Sequence, residues 1–224
     1  MDHSFETAFA SIIPLPVRFV CTAQFSERGP LSPGEEEYLS GATSQRRKDF
    51  ATGRKCAVAA LEALGVFVPS LDRAKDRQPD WPPGTIGSIT HCEGLCAAAA
   101  SHTKLSRFLG IDAEPNEPLP QGVLKRIASR KEVAQIQSTA KAPLPYRFSD
   151  RTLFSAKESV FKALYPVVGA YFGFEEVELR PDASAGRFRA LLSDSIQVAA
   201  GIAFVEGRFA NTADHTMTAV HVGM

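Results

Sequence analysis

The sequence predicts an α+β protein built from two similar halves, residues 1–108 and 109–224, in a pseudo-twofold arrangement with a ligand crevice between them. Two observations carry this reading. A substantial helical pattern occurs twice, over residues 43–65 and from Phe154 to about Leu164, and each is followed by strand-like segments separated by turn residues. The two halves share this plan without a residue-level repeat.

Residues from Met1 to about Arg18 mix apolar and polar positions around Pro14 and Pro16, with an edge strand expected near Val17 to Cys21. Gly29 to Gly34 form a turn cluster, and a short helix is expected from Glu35 to Leu39. The next helix opens at Thr43 or Ser44, which are good caps, and closes at Gly65. Its buried stripe is Phe50, Ala57, Val58, Leu61 and Leu64. Arg47 and Arg54 fall on the same stripe. They either pair with local carboxylates while their stems line the core, or face an anionic pocket as a pair of guanidinium forks.

A polar connector from Asp72 to Pro83 contains the chain's single tryptophan, Trp81, placed to anchor the loop or flank a ligand. Ile86 to Ala97 reads as strand, turn at Glu93-Gly94, and strand, although Ala97 to Ala100 also suit a helix. His91 stands at the strand end, where a histidine is usually structural but is also placed to donate to a phosphate. Two helical pieces, Gly122 to Ser129 and Arg130 to Thr139, precede the second long helix, which Pro166 is expected to end. Strands are then expected at Val177 to Leu179, Arg187 to Leu192, Ile196 to Phe204 and His215 to Val222.

With 44% hydrophobic residues, a chain of 224 is long enough for one sizeable core or two small ones. Its 25 basic and 25 acidic residues balance, which argues against a general nucleic-acid or anionic-membrane binder. No apolar run is long enough to span a bilayer, and no basic region followed by an apolar core opens the chain. A soluble cytoplasmic protein is expected. The four cysteines, Cys21, Cys56, Cys92 and Cys96, form no CxxC pair, and His91, Cys92 and Cys96 lack the second ligand pair of a zinc site. Free thiols are the simpler account.

Two stretches carry chemistry. In Leu109 to Pro115 the period-two alternation turns Leu109, Ile111 and Ala113 one way, and Asp112 and Glu114 the other. Two carboxylates side by side on one face call for solvent or a cation. On the second helix Leu153, Phe154, Val160, Phe161 and Leu164 share an apolar arc that also contains Lys157, while Glu158 sits at its edge beside Lys162. A lysine on such an arc must reach water or meet an anion. Asp112, Glu114 and Glu158 together would offer three hard oxygen donors suited to Mg²⁺.

Gly110-Ile111-Asp112-Ala113-Glu114, followed further along by Phe154-Ser155-Ala156-Lys157-Glu158-Ser159-Val160-Phe161-Lys162, resembles the paired motifs G-x-D-x-E and [FW]-x-x-K-E-[SA]-x-x-K of the phosphopantetheinyl transferases. Gly87 to Gly94, with Arg77-Gln78-Pro79 and Trp81-Pro82 before it, is similar to the monomeric Sfp-like class and its enterobactin-synthetase-activating branch. The resemblance covers roughly residues 40 to 180 and implies the two-halved fold of that family. It also implies transfer of the phosphopantetheine arm of coenzyme A to a serine of an acyl or peptidyl carrier protein, with release of adenosine 3′,5′-bisphosphate. By the same resemblance Asp112, Glu114 and Glu158 hold Mg²⁺, and Lys157 and Lys162 meet the phosphates. Arg47, Arg54 and His91 would meet the nucleotide phosphates, and Arg77 and Thr90 would line the nucleotide site.

Glu158 is the candidate base for the serine hydroxyl, directly or through a metal-bound water. Lys125, Arg126, Arg130 and Lys131 are the expected surface for an acidic carrier helix. A Mg²⁺-dependent pyrophosphate or phosphodiester hydrolase and a non-catalytic coenzyme A-binding module are the competing readings. The sequence does not choose among fatty-acid, polyketide and nonribosomal-peptide carriers.

Overall fold

The computed structural model describes residues 4–74, 78–139 and 142–224. In chain order the elements are α1 (Ser4–Ile12), β1 (Arg18–Thr22), α2 (Pro33–Tyr38), α3 (Ser44–Glu62), β2 (Thr85–Cys92), β3 (Leu95–His102), β4 (Ser106–Pro115), α4 (Leu124–Ile127) and α5 (Arg130–Thr139). There follow α6 (Asp150–Val168), a single 3₁₀ turn (Phe174–Glu176), β5 (Val177–Asp182), β6 (Arg187–Leu192), α7 (Asp194–Ala200), β7 (Phe204–Asn211) and β8 (His215–Gly223). Mixed helix and sheet are present as expected, in two antiparallel sheets ordered β1-β3-β2 and β4-β8-β7-β6-β5. The halves are unequal, with three strands against five.

The layers follow from side-chain size. In β3 the run Ala97 to Ala100 is fully buried and strand-paired on both sides, so the helical alternative for this run does not hold. Ala98 and Ala100 pack under Cys56, Ala57, Ala60 and Leu61 of α3. Ala97 and Ala99 turn the other way, onto Leu109, Ile111 and Ala113 of β4 and Met217 and Ala219 of β8. The opposite face of the second sheet carries α6, through Leu153, Ala156, Val160, Ala163 and Leu164 against Phe188, Val205 and Phe209. Gly110 lets α6 approach β4: a Cβ there would strike the Ser159 carbonyl oxygen and lie 2.7 Å from the Ala163 nitrogen.

The first long helix carries the caps expected of it, and the second, which begins earlier than expected at Asp150, is capped as well. Thr43 accepts from the Arg46 amide ahead of α3, and Gly65, at φ +80°, lies just past its end. Ser149 accepts from the Thr152 amide ahead of α6. α6 does not stop at Pro166 but runs to Val168, because a proline in the last turn forfeits only its own amide bond. Gly169, at φ +67°, ends it and donates to the Tyr165 carbonyl at 2.9 Å.

Two further expectations need correction. The N-terminal segment is helical, since Phe5, Ala8, Phe9 and Ile12 recur at helical spacing and plug the core between the sheets. Within the stretch Ile196 to Phe204, residues up to Ala200 belong to α7 rather than to a strand. Ser193 precedes this helix, Ile196 and Ala200 bury one face, and Gly201 at φ +67° closes it. β1 is an edge strand, displaced one residue from Val17 to Cys21.

Candidate active site

The seam between the two sheets is made by hydroxyls. The Ile111 amide donates to Ser88 Oγ at 3.0 Å, and the Ala113 amide donates to Thr90 Oγ1 at 3.0 Å. Thr90 Oγ1 donates onward to Asp112 Oδ1 at 3.1 Å. Thr90, expected to line a nucleotide site, is therefore buried and orients Asp112.

Along α6, Arg151, Ser155, Glu158 and Lys162 lie at i, i+4, i+7 and i+11, one stripe of the helix. Lys162 Nζ donates to Asp112 Oδ1 at 2.6 Å. Arg151 Nη1 donates to Glu114 Oε2 at 3.0 Å, and its other nitrogens hold the carbonyls of Glu117 and Pro118. Burial pushes the Glu158 carboxyl above its ordinary range, with the Asp112 charge adding to the shift and Lys162 opposing it. Glu114 is raised in the same way, by burial first and Asp112 second, against Arg151. Asp112 thus stands between two carboxyls that its charge makes harder to ionise, and its own Oδ2 is buried without a partner.

These residues fit a divalent cation in donor chemistry. Asp112 Oδ2 is unbonded, and a cation there would relieve the electrostatic cost on Glu114 and Glu158. They do not form a closed cage: among the described residues no three His, Cys, Asp or Glu side chains are gathered tightly enough to hold a metal ion.

Beside Lys162 a cleft of about 210 Å³ opens between Gln78, Pro79 and Trp81 on one side and Phe161, Lys162 and Tyr165 on the other. Gly87 and Ser88 floor it. Trp81 lies flat on Gly87, where a Cβ would enter the indole ring. A second hollow, of about 600 Å³, lies around His91, Gln45, Lys48 and Asp49. His91 Nδ1 is 4.0 Å from Asp49 Oδ2, and burial holds the ring below its usual pKa despite that carboxylate.

Three residues expected at phosphates have carboxylate partners within the protein. Arg54 is buried in an ion pair with Glu35, Nε to Oε1 2.6 Å, and its guanidinium covers the Phe50 ring. Arg47 pairs with Glu36. The local-carboxylate alternative thus describes both arginines. Lys157 points away from the cleft into the core, where Glu132 meets it. Arg77 lies outside the described residues. The sequence reading missed Arg151, although its place on the stripe of Glu158 and Lys162 was the available signal. The four cysteines are free, and no helix among the described residues is long and apolar enough to cross a membrane.

The family description of the 4′-phosphopantetheinyl transferase N-terminal domain matches residues 34–101, and that of the 4′-phosphopantetheinyl transferase superfamily matches residues 108–216. The chain is 42% identical over 194 residues to the 4′-phosphopantetheinyl transferase Svp of Streptomyces mobaraensis, covering 86% of this chain and 78% of that protein. It is 33% identical over 224 residues to the 4′-phosphopantetheinyl transferase PptT of Mycobacterium tuberculosis, covering 96% and 97%. Enterobactin synthase component D of Salmonella typhi is 33% identical over 143 residues, covering 63% of this chain and 58% of that protein.

Proposed function

The chain belongs to the 4′-phosphopantetheinyl transferase superfamily and moves the phosphopantetheine moiety of coenzyme A to carrier proteins; from that premise we propose that the reaction runs along the stripe Glu158, Lys162 and Asp112 at the mouth of the Trp81 cleft. The observation that carries the proposal is the 2.6 Å contact between Lys162 and Asp112 at the edge of that cleft.

In this reading the flat, largely apolar cleft between Trp81 and Tyr165 takes coenzyme A, and Lys162 meets a phosphate oxygen at its edge. His91, in the second hollow, would meet the nucleotide phosphates when it donates a proton. Glu158 accepts the proton of the carrier serine as the hydroxyl attacks. Its raised pKa makes it a stronger base than an ordinary exposed carboxylate. Lys162 compensates the charge that grows on the phosphate oxygens, while Thr90 and Asp112 hold the lysine in place. Asp112, Glu114 and Glu158 would hold Mg²⁺, which when bound neutralises diphosphate charge and acts as a Lewis acid there. The product left behind is adenosine 3′,5′-bisphosphate.

The carrier docks on α4 and α5. Lys125, Arg126, Arg130 and Lys131 are all exposed, and of these only Lys131 has a carboxylate within ion-pair distance among the described residues, that of Glu178 at 3.8 Å. An acidic carrier helix would supply the missing countercharge. A cytoplasmic monomer is the form in which this chemistry is proposed. Incubation with coenzyme A, Mg²⁺ and an apo carrier domain tests the proposal, with a mass gain of one phosphopantetheine expected on the carrier. Nucleotide release without that gain would instead indicate a hydrolase.

A further inference from the structure

Lys157 and Glu132 form an ion pair whose side chains are each 1% exposed and 3.0 Å apart. The lysine also donates to the Ile127 carbonyl at 2.7 Å and the Phe174 carbonyl at 2.9 Å, so its three protons are all engaged. Glu132 is equally occupied. Its Oε1 accepts from the Leu179 amide at 2.8 Å, and its Oε2 accepts from the Ser129 amide at 2.7 Å and from Lys157. Ser129 returns the contact by accepting from the Glu132 amide at 3.3 Å, which caps α5. One ion pair thus joins the end of α4, the start of α5, the turn before β5 and β5 itself to α6.

A pair of well-packed apolar side chains would serve stability about as well as a buried ion pair. What the pair adds is a fixed geometry. Successive helical residues project about 100° apart, so a Lys157 drawn toward α5 turns Glu158 toward β4 and the cleft. The same tether holds Arg130 and Lys131, which flank Glu132 on its N-terminal side.

We infer that Glu132, acting through Lys157, is a positioning residue that sets the exposed basic side chains of α4 and α5 at a fixed distance from Glu158, and so governs how productively a docked carrier presents its serine. The inference rests on the reading of α4 and α5 as the carrier surface. Lys157 is then not a phosphate ligand, since no proton on its nitrogen is left to donate.

The test replaces the pair by an apolar one, Glu132→Leu with Lys157→Met, and measures coenzyme A affinity separately from carrier kinetics. Expected are a coenzyme A Kd within about threefold of the parent and a carrier KM raised by about tenfold, the scale of a small misplacement of reacting groups. A coenzyme A Kd that rises by tenfold with carrier KM unchanged would make Lys157 a phosphate ligand and overturn the inference. No change in either quantity would reduce the pair to a core contact and overturn it as well. If the double variant does not fold, Lys157→Arg, which keeps the charge but not the three-point geometry, is read by the same two quantities. A parallel variant, Arg126→Glu with Arg130→Glu, separates the premise from the inference. If it leaves carrier KM unchanged, the docking surface is wrong; if it raises KM while the Glu132 and Lys157 changes do not, the positioning role alone fails.

Discussion

Lys162 and Asp112 meet at 2.6 Å across the seam between α6 and β4, with Thr90 holding the same carboxylate oxygen from β2. Three elements from both halves of the chain therefore converge on one oxygen atom, while the other oxygen of Asp112 stays buried and unbonded.

Asp112→Asn keeps the side-chain shape and the Thr90 contact but removes the charge that Lys162 and a cation would share. Transfer to an apo carrier, followed by mass, is expected to fall by about 100-fold or more, the scale of losing one preorganised electrostatic group. The thermal midpoint should fall as well, because the Lys162 ion pair is lost and an amide nitrogen in the place of Oδ2 would be buried without an acceptor.

Arg54 and Arg47 should separate in stability. Arg54→Ala leaves Glu35 as a buried unpaired charge and is expected to cost about 3–5 kcal/mol in urea unfolding. Arg47→Ala breaks a half-exposed pair and should cost under about 1 kcal/mol. A drop in coenzyme A affinity with unchanged stability in Arg54→Ala would return that residue to the nucleotide site.

Gly110→Ala places a methyl group against the Ser159 carbonyl and the Ala163 amide. Overpacking of this kind costs about 1–3 kcal/mol, and backbone on the other side leaves nothing flexible to move aside. Because α6 carries Glu158 and Lys162, transfer should fall more steeply than the thermal midpoint.

His221 supplies a stability term with a definite sign. Burial holds its ring below the ordinary value of 6.5, and Ser106 Oγ lies 2.8 Å from Nε2. On acidification the unfolded chain takes up the proton near pH 6.5 while the folded chain does not, so stability falls as pH drops below that value. Urea midpoints measured from pH 7 to pH 5 should decline less steeply for His221→Gln than for the parent.

Much of the frame was legible because local signals agreed with one another. Thr43 and Gly65 bracket α3, the Glu93-Gly94 turn pairs β2 with β3, and the alternation through Asp112 and Glu114 gives β4 its two faces. α7 was misread because Ile196 to Phe204 is rich in strand-compatible residues, although Ser193 and Gly201 bracket its first part as a helix. α1 was missed although its apolar spacing was present. The anion that Lys157 requires was foreseeable, but its identity was not. Glu132 comes from another helix, 25 residues away in the chain, and no periodicity connects them. Arg47 and Arg54 posed the opposite difficulty: a basic stripe reads alike whether its countercharges are Glu35 and Glu36 or a ligand.

The Ser88 and Thr90 hydroxyls are what fasten β2 to β4, and no main-chain ladder runs between these strands among the described residues. Each such bond is worth only about 1 kcal/mol. The join behaves as a pair of buttons rather than a weld, so each fastening can give way separately with both sheets left intact.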